Sequence, residues 1–172
     1  MMNQAQTRSR PQVSIVMGST SDLPLVRHTI DVLKEFLVEY EVKVLSAHRT
    51  PEKVAQHAKS ARSRGVRVLI GVAGGAAHLA GALAAHSTLP VIGIPVPTQH
   101  LGGLDSLLST VQMPSGVPVA TVAVGDAGAK NAALLAIEIL ALTDGTLLKR
   151  LDKYREGLVH KVERDAREVR QE

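Results

Sequence analysis

Five short, largely apolar segments recur along the chain, each followed by a polar or glycine-containing turn and then by a helical pattern. The segments are residues 13–17, 42–45, 66–72, 90–94 and 118–124. Most are continuous apolar runs, which is typical of strands buried on both faces of a sheet. Strands that alternate with helices form a parallel sheet covered by helices on both sides. The pattern therefore predicts an α/β fold, a doubly wound three-layer αβα sandwich with a five-stranded parallel sheet.

Apolar residues at spacings of three and four predict the helices between these strands. The predicted helices cover residues 22–39, 52–64, 79–86, 105–111 and 129–142. With so few aromatic residues in the chain, the core between the layers has to be built from Ala, Val, Leu and Ile.

A further helical pattern begins near residue 146, after the five units are complete. Apolar residues form a stripe on this highly charged segment, namely Leu147, Leu151, Tyr154, Leu158 and Val162. Such a stripe needs an apolar surface to cover it, and either the same domain or a neighbouring subunit can supply one. Helices rich in small residues favour close contact between subunits. We therefore predict a single domain over 13–172, with its core at 13–142, a C-terminal helix at about 146–170, and a homo-oligomer.

Composition excludes several classes of protein. The chain has 172 residues and no cysteine, so it has room for one domain but no disulfide and no cysteine nucleophile. The cytoplasm is the simplest compartment for such a chain. Residues 1–12 form a polar tail without signal-peptide character. No apolar run reaches the roughly 18–20 residues that cross a bilayer, so we predict no membrane partner.

The net charge of +4 is compatible with a nucleic-acid partner, but the distribution of the charged residues does not indicate one. Basic residues alternate with acidic ones in the C-terminal segment, as on an ordinary solvated helix face. Three aromatic residues in the whole chain provide no platform for stacking bases. We predict no nucleic-acid partner, and an anionic small molecule suits the positive charge at least as well.

The turn after the first segment reads Gly18-Ser19-Thr20-Ser21-Asp22. It places backbone N–H groups, hydroxyls and a carboxylate before a helix, where phosphate groups bind readily. The helix dipole contributes only about 0.3–1 kcal/mol to such binding, so further contacts are needed. Ser21 or Asp22 can equally serve as a simple helix cap, and both interpretations stay open.

The turn after the second segment reads SAHRTP, residues 46–51. Thr50 and Pro51 suit a helix cap and the first helical position, which leaves His48 and Arg49 without a structural role. At the carboxyl end of a strand, an arginine can hold a phosphate or carboxylate with two hydrogen bonds. A histidine there titrates near neutral pH and can move protons in both directions. We therefore favour a catalytic role for His48 over a structural one.

The turn after the third segment reads AGGAAHL, residues 73–79. The adjacent Gly74 and Gly75 let the backbone approach a flat ligand closely. His78 either lines the pocket or makes a local bond in the first helical turn. The chain contains neither a P-loop nor a dinucleotide fingerprint, and no spacing of His, Asp and Glu predicts a metal site.

These three turns, in this order, resemble the N5-carboxyaminoimidazole ribonucleotide mutase family, also called the catalytic subunit of phosphoribosylaminoimidazole carboxylase. The similarity continues through DSL at 105–107, VQMP at 111–114, PVAT at 118–121 and NAALL at 131–135. It spans residues 13–142, and the ordered set is far more specific than any one motif. The resemblance implies a flavodoxin-like fold and an octamer whose C-terminal helices pack on neighbouring subunits.

The resemblance also implies a reaction. The family moves a carboxylate from the exocyclic nitrogen of N5-carboxyaminoimidazole ribonucleotide to ring carbon 4, giving 4-carboxy-5-aminoimidazole ribonucleotide in de novo purine (IMP) biosynthesis. It implies no metal, biotin or nucleotide cofactor. Carbon dioxide is released and recaptured, with one histidine as acid and then base. Confinement is worth up to about 7–11 kcal/mol and proton transfer about 10²- to 10⁴-fold, so the pocket is expected to matter more than the base.

Carried over residue by residue, the resemblance makes His48 the catalytic histidine. It places the substrate phosphate and ribose near the first turn and Arg49, and the imidazole with its carboxylate near the third turn. The predicted substrate-binding residues are Ser19, Ser21, Asp22, Ser46, Arg49, Gly74, Gly75, Ala76, His78 and Leu79.

Two departures from the family pattern and two rival functions stay open. Ala80 stands where family members usually have proline, and PTQHLGG at 97–103 replaces a stretch that is usually rich in small residues and serine. The nearest rival is a carboxylase that uses aminoimidazole ribonucleotide and free carbon dioxide. It would share His48, although the AGGAAHL turn favours the mutase. The other rival is a flavodoxin-like binding module without catalysis.

Overall fold

A computed structural model of the chain describes residues 10–169. Five parallel strands form one sheet in the order β2-β1-β3-β4-β5. They are Val13–Met17 (β1), Tyr40–Val44 (β2), Val68–Ala73 (β3), Val91–Pro95 (β4) and Ala120–Thr121 (β5). The predicted sandwich with a five-stranded parallel sheet is confirmed. Most of the predicted tail, residues 1–9, lies outside the described residues, while the Gln12 N–H already donates to Glu39 O.

Within residues 10–169, six α-helices surround the sheet. They are Leu23–Glu35 (α1), Pro51–Ala61 (α2), Leu79–Ala85 (α3), Leu104–Val111 (α4), Asp126–Ala141 (α5) and Gly145–Val169 (α6). Short 3₁₀ turns lie at Thr20–Asp22 and Arg62–Arg64. All six predicted helices are present, with ends shifted by a few residues.

The largest shift is at the end of α1, which stops four residues before the predicted end. Leu37 adopts a left-handed conformation with φ of 58°. Its N–H donates to Lys34 O, and the Val38 N–H donates to Leu33 O. This pair of bonds is the Schellman arrangement that terminates helices. Val38 is then buried, and the chain turns into β2.

The strands alternate between two cores, as expected from the period of two along a strand. Ile15, Ile70 and Ile92 face the core that contains α1, α5 and the start of α6. Val16 and Leu69 face the opposite core, with α2 and α3. Both cores consist almost entirely of aliphatic side chains, in agreement with the composition.

Helix α3 lies unusually close to the sheet. A Cβ added at Gly71 of β3 would come within 2.8 Å of the Ala80 Cα atom, and one at Gly93 of β4 within 3.3 Å of the Ala80 Cβ atom. Ala80 is buried in this contact. The departure from the family pattern at Ala80 therefore falls in the packing of α3 on the sheet.

Helix α6 belongs only partly to the domain core. Leu147 and Leu151 are buried, and the Tyr154 ring packs edge-on against Phe36 with centroids 5.4 Å apart. Further along, the exposed fraction rises to 67% at Val162. The first half of the stripe thus packs on its own domain, and its contact with a neighbouring subunit stays a prediction. Within residues 10–169, no helix combines the length and apolar character needed to span a membrane.

Candidate active site

A cavity of about 340 Å³ opens at the carboxyl ends of β1, β2, β3 and β4. In the order β2-β1-β3-β4-β5, the connections run in opposite directions from β1 and β3, which is where open α/β sheets bind ligands. Nine of the eleven predicted site residues line this cavity: Ser19, Ser21, Asp22, Ser46, His48, Arg49, Gly74, Ala76 and Leu79. The other two, Gly75 and His78, belong to the third turn but are not among the lining residues. The three predicted turns therefore meet at one place.

The turn after β1 is held by its own hydroxyl groups. Ser19 Oγ accepts hydrogen bonds from the Ser21 N–H at 3.2 Å and from the Ser21 hydroxyl at 2.8 Å. Ser19 is the cap of the short 3₁₀ turn, and Asp22 makes no side-chain cap bond to α1. Asp22 therefore occupies the cap position of α1 without a side-chain cap bond, and the binding role of this turn stays a prediction.

Asp22 lies half-buried at the edge of the cavity. Burial raises the pKa of its carboxyl group above the usual range, although hydrogen bonds from Ser21 and the Ser19 backbone work in the opposite direction. A carboxyl group in such a place suits the hydroxyl groups of a sugar better than a phosphate, because two anions repel each other.

The turn after β2 is fixed by Thr50 and Ser46. The Thr50 hydroxyl donates to Ser46 O at 3.1 Å and accepts from the Ser46 N–H at 3.0 Å. Thr50 occupies the cap position of α2 with Pro51 as the first helical residue, as predicted, but its hydroxyl closes the turn instead of bonding the helix. His48 and Arg49, two of the three residues between them, therefore lie on a turn that these bonds close.

Arg49 connects the first two turns. Its Nη2 donates to Gly18 O at 3.0 Å, and its Nε lies 3.3 Å from Ser46 Oγ. A guanidinium group has five N–H donors, so these bonds orient the side chain and leave three donors. Because Arg49 lines the cavity, those donors are suited to an anionic group of a ligand.

His48 and His78 form a hydrogen-bonded pair. His48 Nε2 lies 2.8 Å from His78 Nδ1, and the rings meet edge-on with centroids 4.9 Å apart. One of the two nitrogens donates and the other accepts in this contact. His78 makes no side-chain cap bond to α3. The His78 side chain therefore contacts His48 instead of capping α3, and its role in the site stays a prediction.

The turn after β3 passes through Gly75, which has a left-handed φ of 66°. The Gly75 N–H donates to the Ser106 hydroxyl of α4 at 2.9 Å. A Cβ at the preceding Gly74 would lie 3.3 Å from Val96, so the turn also packs against the segment after β4. Glycine is needed at Gly75 for its conformation and favoured at Gly74 for close approach.

Sequence reasoning missed Val96 and Pro97, which line the cavity, and Ser106, which supports its wall. The rule that ligands bind at carboxyl ends could have found Val96 and Pro97, since they directly follow β4. Ser106 lies within the DSL segment at 105–107, but no local pattern indicates its contact with Gly75. Among residues 10–169, no group of three or more His, Asp or Glu side chains is placed to hold a metal ion.

Comparison with known proteins agrees with this geometry. The family model described as AIR carboxylase matches residues 12–161. The chain belongs to the AIR carboxylase family. The predicted resemblance is thereby confirmed, and the matched region contains the whole cavity and most of α6.

Two relatives within the AIR carboxylase family are more than half identical to this chain. The protein from Bacillus subtilis is 56% identical over 148 residues, which cover 86% of this chain and 91% of the relative. The protein from Pyrococcus abyssi is 55% identical over 148 residues, which cover 86% and 84%. Both carry the name N5-carboxyaminoimidazole ribonucleotide mutase.

A solved structure agrees with the fold of this AIR carboxylase family member. The crystal structure of Treponema denticola PurE superimposes with a TM-score of 0.82 at 34% identity, covering 91% of this chain and 96% of the other. The predicted flavodoxin-like fold is confirmed.

Proposed function

We propose that this chain is an N5-carboxyaminoimidazole ribonucleotide mutase, an isomerase of de novo purine biosynthesis. The observation that carries the proposal is the identity of 54–56% to mutases from several organisms. The cavity supports it independently, because it combines an arginine for an anion, a carboxyl group for a sugar and a histidine for proton transfer.

The proposed reaction needs one proton donor that later becomes a proton acceptor. His48 donates a proton to the carbamate nitrogen as the N–C bond breaks and carbon dioxide leaves. Ring carbon 4 then attacks carbon dioxide, and neutral His48 takes the proton from that carbon. The histidine ends in its starting state, so no other reactant is consumed. The hydrogen bond to His78 supports this role, because it holds the His48 ring in one orientation for both proton transfers.

The same proposal assigns the binding residues. Arg49 holds the phosphate together with the turn at Ser19 and Ser21, and Asp22 binds the ribose hydroxyl groups. The small, uncharged wall formed by Ala73, Gly74, Ala76 and Leu79 faces the imidazole and retains carbon dioxide. Retention replaces a bimolecular capture with an intramolecular one.

An assay with two alternative substrates tests the proposed function. We expect the purified protein to convert N5-carboxyaminoimidazole ribonucleotide to the 4-carboxy isomer without added bicarbonate. Aminoimidazole ribonucleotide with bicarbonate should turn over far more slowly, because free carbon dioxide is dilute and must be captured from solution. The product is followed by its ultraviolet absorbance and separated by chromatography.

Each rival function predicts a different outcome of this assay. If the protein turns over aminoimidazole ribonucleotide with bicarbonate but not the carbamate, it is a carboxylase and not a mutase. Carboxylase is also the activity in the description of the family model. Binding of the nucleotide without turnover of either substrate would indicate a non-catalytic module.

The proposal includes a homo-octamer in the cytoplasm. The outer half of α6 supports assembly, since Leu158, Val159 and Val162 are 46–67% exposed and apolar patches of this kind mark interfaces. The absence of cysteine supports the compartment.

Sedimentation velocity tests the assembly. We expect the wild-type protein to sediment as an octamer. Introducing Leu158→Glu and Val162→Glu together should reduce its size, because charges do not pack into an apolar interface. The matched control is Glu156→Gln with Lys161→Gln, on exposed positions of the same helix. A wild-type monomer at micromolar concentration would contradict the assignment.

A further inference from the structure

Ser106 of α4 joins two walls of the cavity although it does not line it. The side chain is completely buried. Its hydroxyl accepts a hydrogen bond from the Gly75 N–H at 2.9 Å and donates one to Val96 O at 2.7 Å. Gly75 belongs to the turn after β3, and Val96 follows β4. One buried hydroxyl therefore fixes the distance between these two segments.

Ser109, one helical turn further along, reinforces this contact. Its hydroxyl lies 3.2 Å from Gly75 O and 2.7 Å from Asp105 O, so the shorter bond stays within α4. Both backbone polar groups of Gly75 thus face serine hydroxyls of α4. Ser106 makes the shorter contact with Gly75.

The hydrogen bond from Gly75 ties this turn to α4, while within the turn the Ala77 N–H donates to Gly75 O and the His78 N–H to Ala76 O, each at 2.8 Å. Gly75 has a left-handed backbone, and a Cβ placed there would have no heavy atom within 4 Å. Glycine also has the largest conformational freedom to lose on folding. The turn leads directly to His78, whose Nδ1 is 2.8 Å from His48 Nε2. We therefore expect a shift at Gly75 to move His78 and to change its contact with His48.

We propose that Ser106 is a positioning residue that keeps the 74–78 turn closed over the reacting atoms. The inference rests on the proposed mutase function. With the turn in place, carbon dioxide released from the carbamate remains beside ring carbon 4 and His48. With the turn loosened, the N–C bond still breaks and the nitrogen still gains its proton, but carbon dioxide escapes. The products are then aminoimidazole ribonucleotide and free carbon dioxide.

Loss of the Ser106 hydroxyl therefore changes the outcome of each turnover as well as its rate. In the assembled full-length Ser106→Ala protein, we expect kcat for the 4-carboxy product to fall about tenfold, the effect of one buried hydrogen bond. We expect the ratio of aminoimidazole ribonucleotide to carboxylated product to rise at least about tenfold. Both products are quantified by chromatography, after subtracting carbamate breakdown in a sample without protein.

The matched control is Thr110→Val, four residues along the same helix. Thr110 is as buried as Ser106, but its hydroxyl donates only to Ser106 O within α4. It should lose stability like the test variant while keeping the wild-type product ratio. A mere loss of folded protein lowers the amount of both products together and leaves their ratio unchanged.

Ser106→Cys replaces the hydroxyl by a slightly larger and weaker hydrogen-bonding thiol, so it should give an intermediate ratio. If Ser106→Ala does not fold, this second variant decides the matter. A wild-type product ratio in a folded Ser106 variant would overturn the inference. A wild-type protein that does not turn over the carbamate at all would instead overturn the proposed function, so the two failures are distinguishable.

Discussion

His48→Asn is expected to lower kcat by at least about 10³-fold while the protein stays folded. The size lies within the range for general acid–base catalysis, about 10²- to 10⁴-fold, and the same residue acts twice in the proposed cycle. Asparagine keeps a polar amide at this position, but it is shorter than histidine and does not reach the place of Nε2, which lies 2.8 Å from His78 Nδ1 in the wild-type pair. It cannot take up or release a proton near neutral pH. The measurement combines steady-state kinetics with thermal unfolding.

Because His48 is exposed, its substitution tests function with little effect on the stability of the fold. The residue lies outside both hydrophobic cores, and surface substitutions usually change stability by less than about 0.5 kcal/mol. His86→Asn is the matched control, because His86 is also exposed and bonds only Ala82 O in its own helix. The control should keep wild-type kcat. If His48→Asn retained more than a tenth of wild-type kcat, the proton-transfer role would have to move to another group.

A separate binding measurement distinguishes catalysis from binding. The His48→Asn protein should bind aminoimidazole ribonucleotide, which lacks the transferable carboxylate, with an affinity close to that of the wild type. The phosphate and ribose contacts proposed at Arg49 and Asp22 do not involve His48. Loss of binding together with turnover would indicate that His48 shapes the pocket.

The sequence predicted the fold well because its signals are local. Buried parallel strands appear as apolar runs, and every predicted strand and helix is present. The weakest element was β5, where seven predicted residues reduce to Ala120 and Thr121. Beyond them the chain contacts β4 only through single bonds such as Val122 N–H to Gly93 O. An edge strand with one neighbour has no second partner to extend its pairing.

Polar contacts between residues far apart in the chain could not be predicted from the sequence. His57 was predicted only as a residue within a helix, yet its Nε2 lies 2.8 Å from the fully buried Ser14 hydroxyl. Burial and the nearby Arg64 lower the pKa of His57. Burial alone would raise the pKa of Glu41, but hydrogen bonds from Arg64 and Ser14 lower it overall. This cluster joins β1, β2 and α2 from residues up to 50 positions apart.

In the site, too, local features could be predicted from the sequence and long-range contacts could not. The three turns could be brought together from sequence because the carboxyl ends of parallel strands share one edge. The pairing of His48 with His78 could not, since it depends on how far each turn reaches across the cavity. The contact of Ser106 with Gly75 could not be predicted either, because the two residues are 31 positions apart.

Arg49→Lys is expected to reduce kcat/KM about 100-fold, mainly through a higher KM. Arg49 uses Nη2 for Gly18 O and Nε for Ser46 Oγ, which leaves three donors in a fixed plane for the phosphate. A lysine ammonium keeps the positive charge but cannot make the two structural bonds and a bidentate contact at once. Hydrogen bonds to charged groups contribute about 1.5–3 kcal/mol, and a 100-fold loss corresponds to about 2.8 kcal/mol. Steady-state kinetics separate KM from kcat.

The phosphate assignment itself is tested with a ligand that lacks the phosphate. Wild-type protein should bind aminoimidazole ribonucleotide far more tightly than its nucleoside, and Arg49→Lys should lose most of this preference. Arg62→Lys is the control, because Arg62 is exposed and its Nη2 donates to Thr88 Oγ1 away from the cavity. Since the nucleoside cannot contact a phosphate donor, both variants should bind it like the wild type. An undiminished preference in Arg49→Lys would move the phosphate to the helix end at Ser19 and leave Arg49 to hold the turns together.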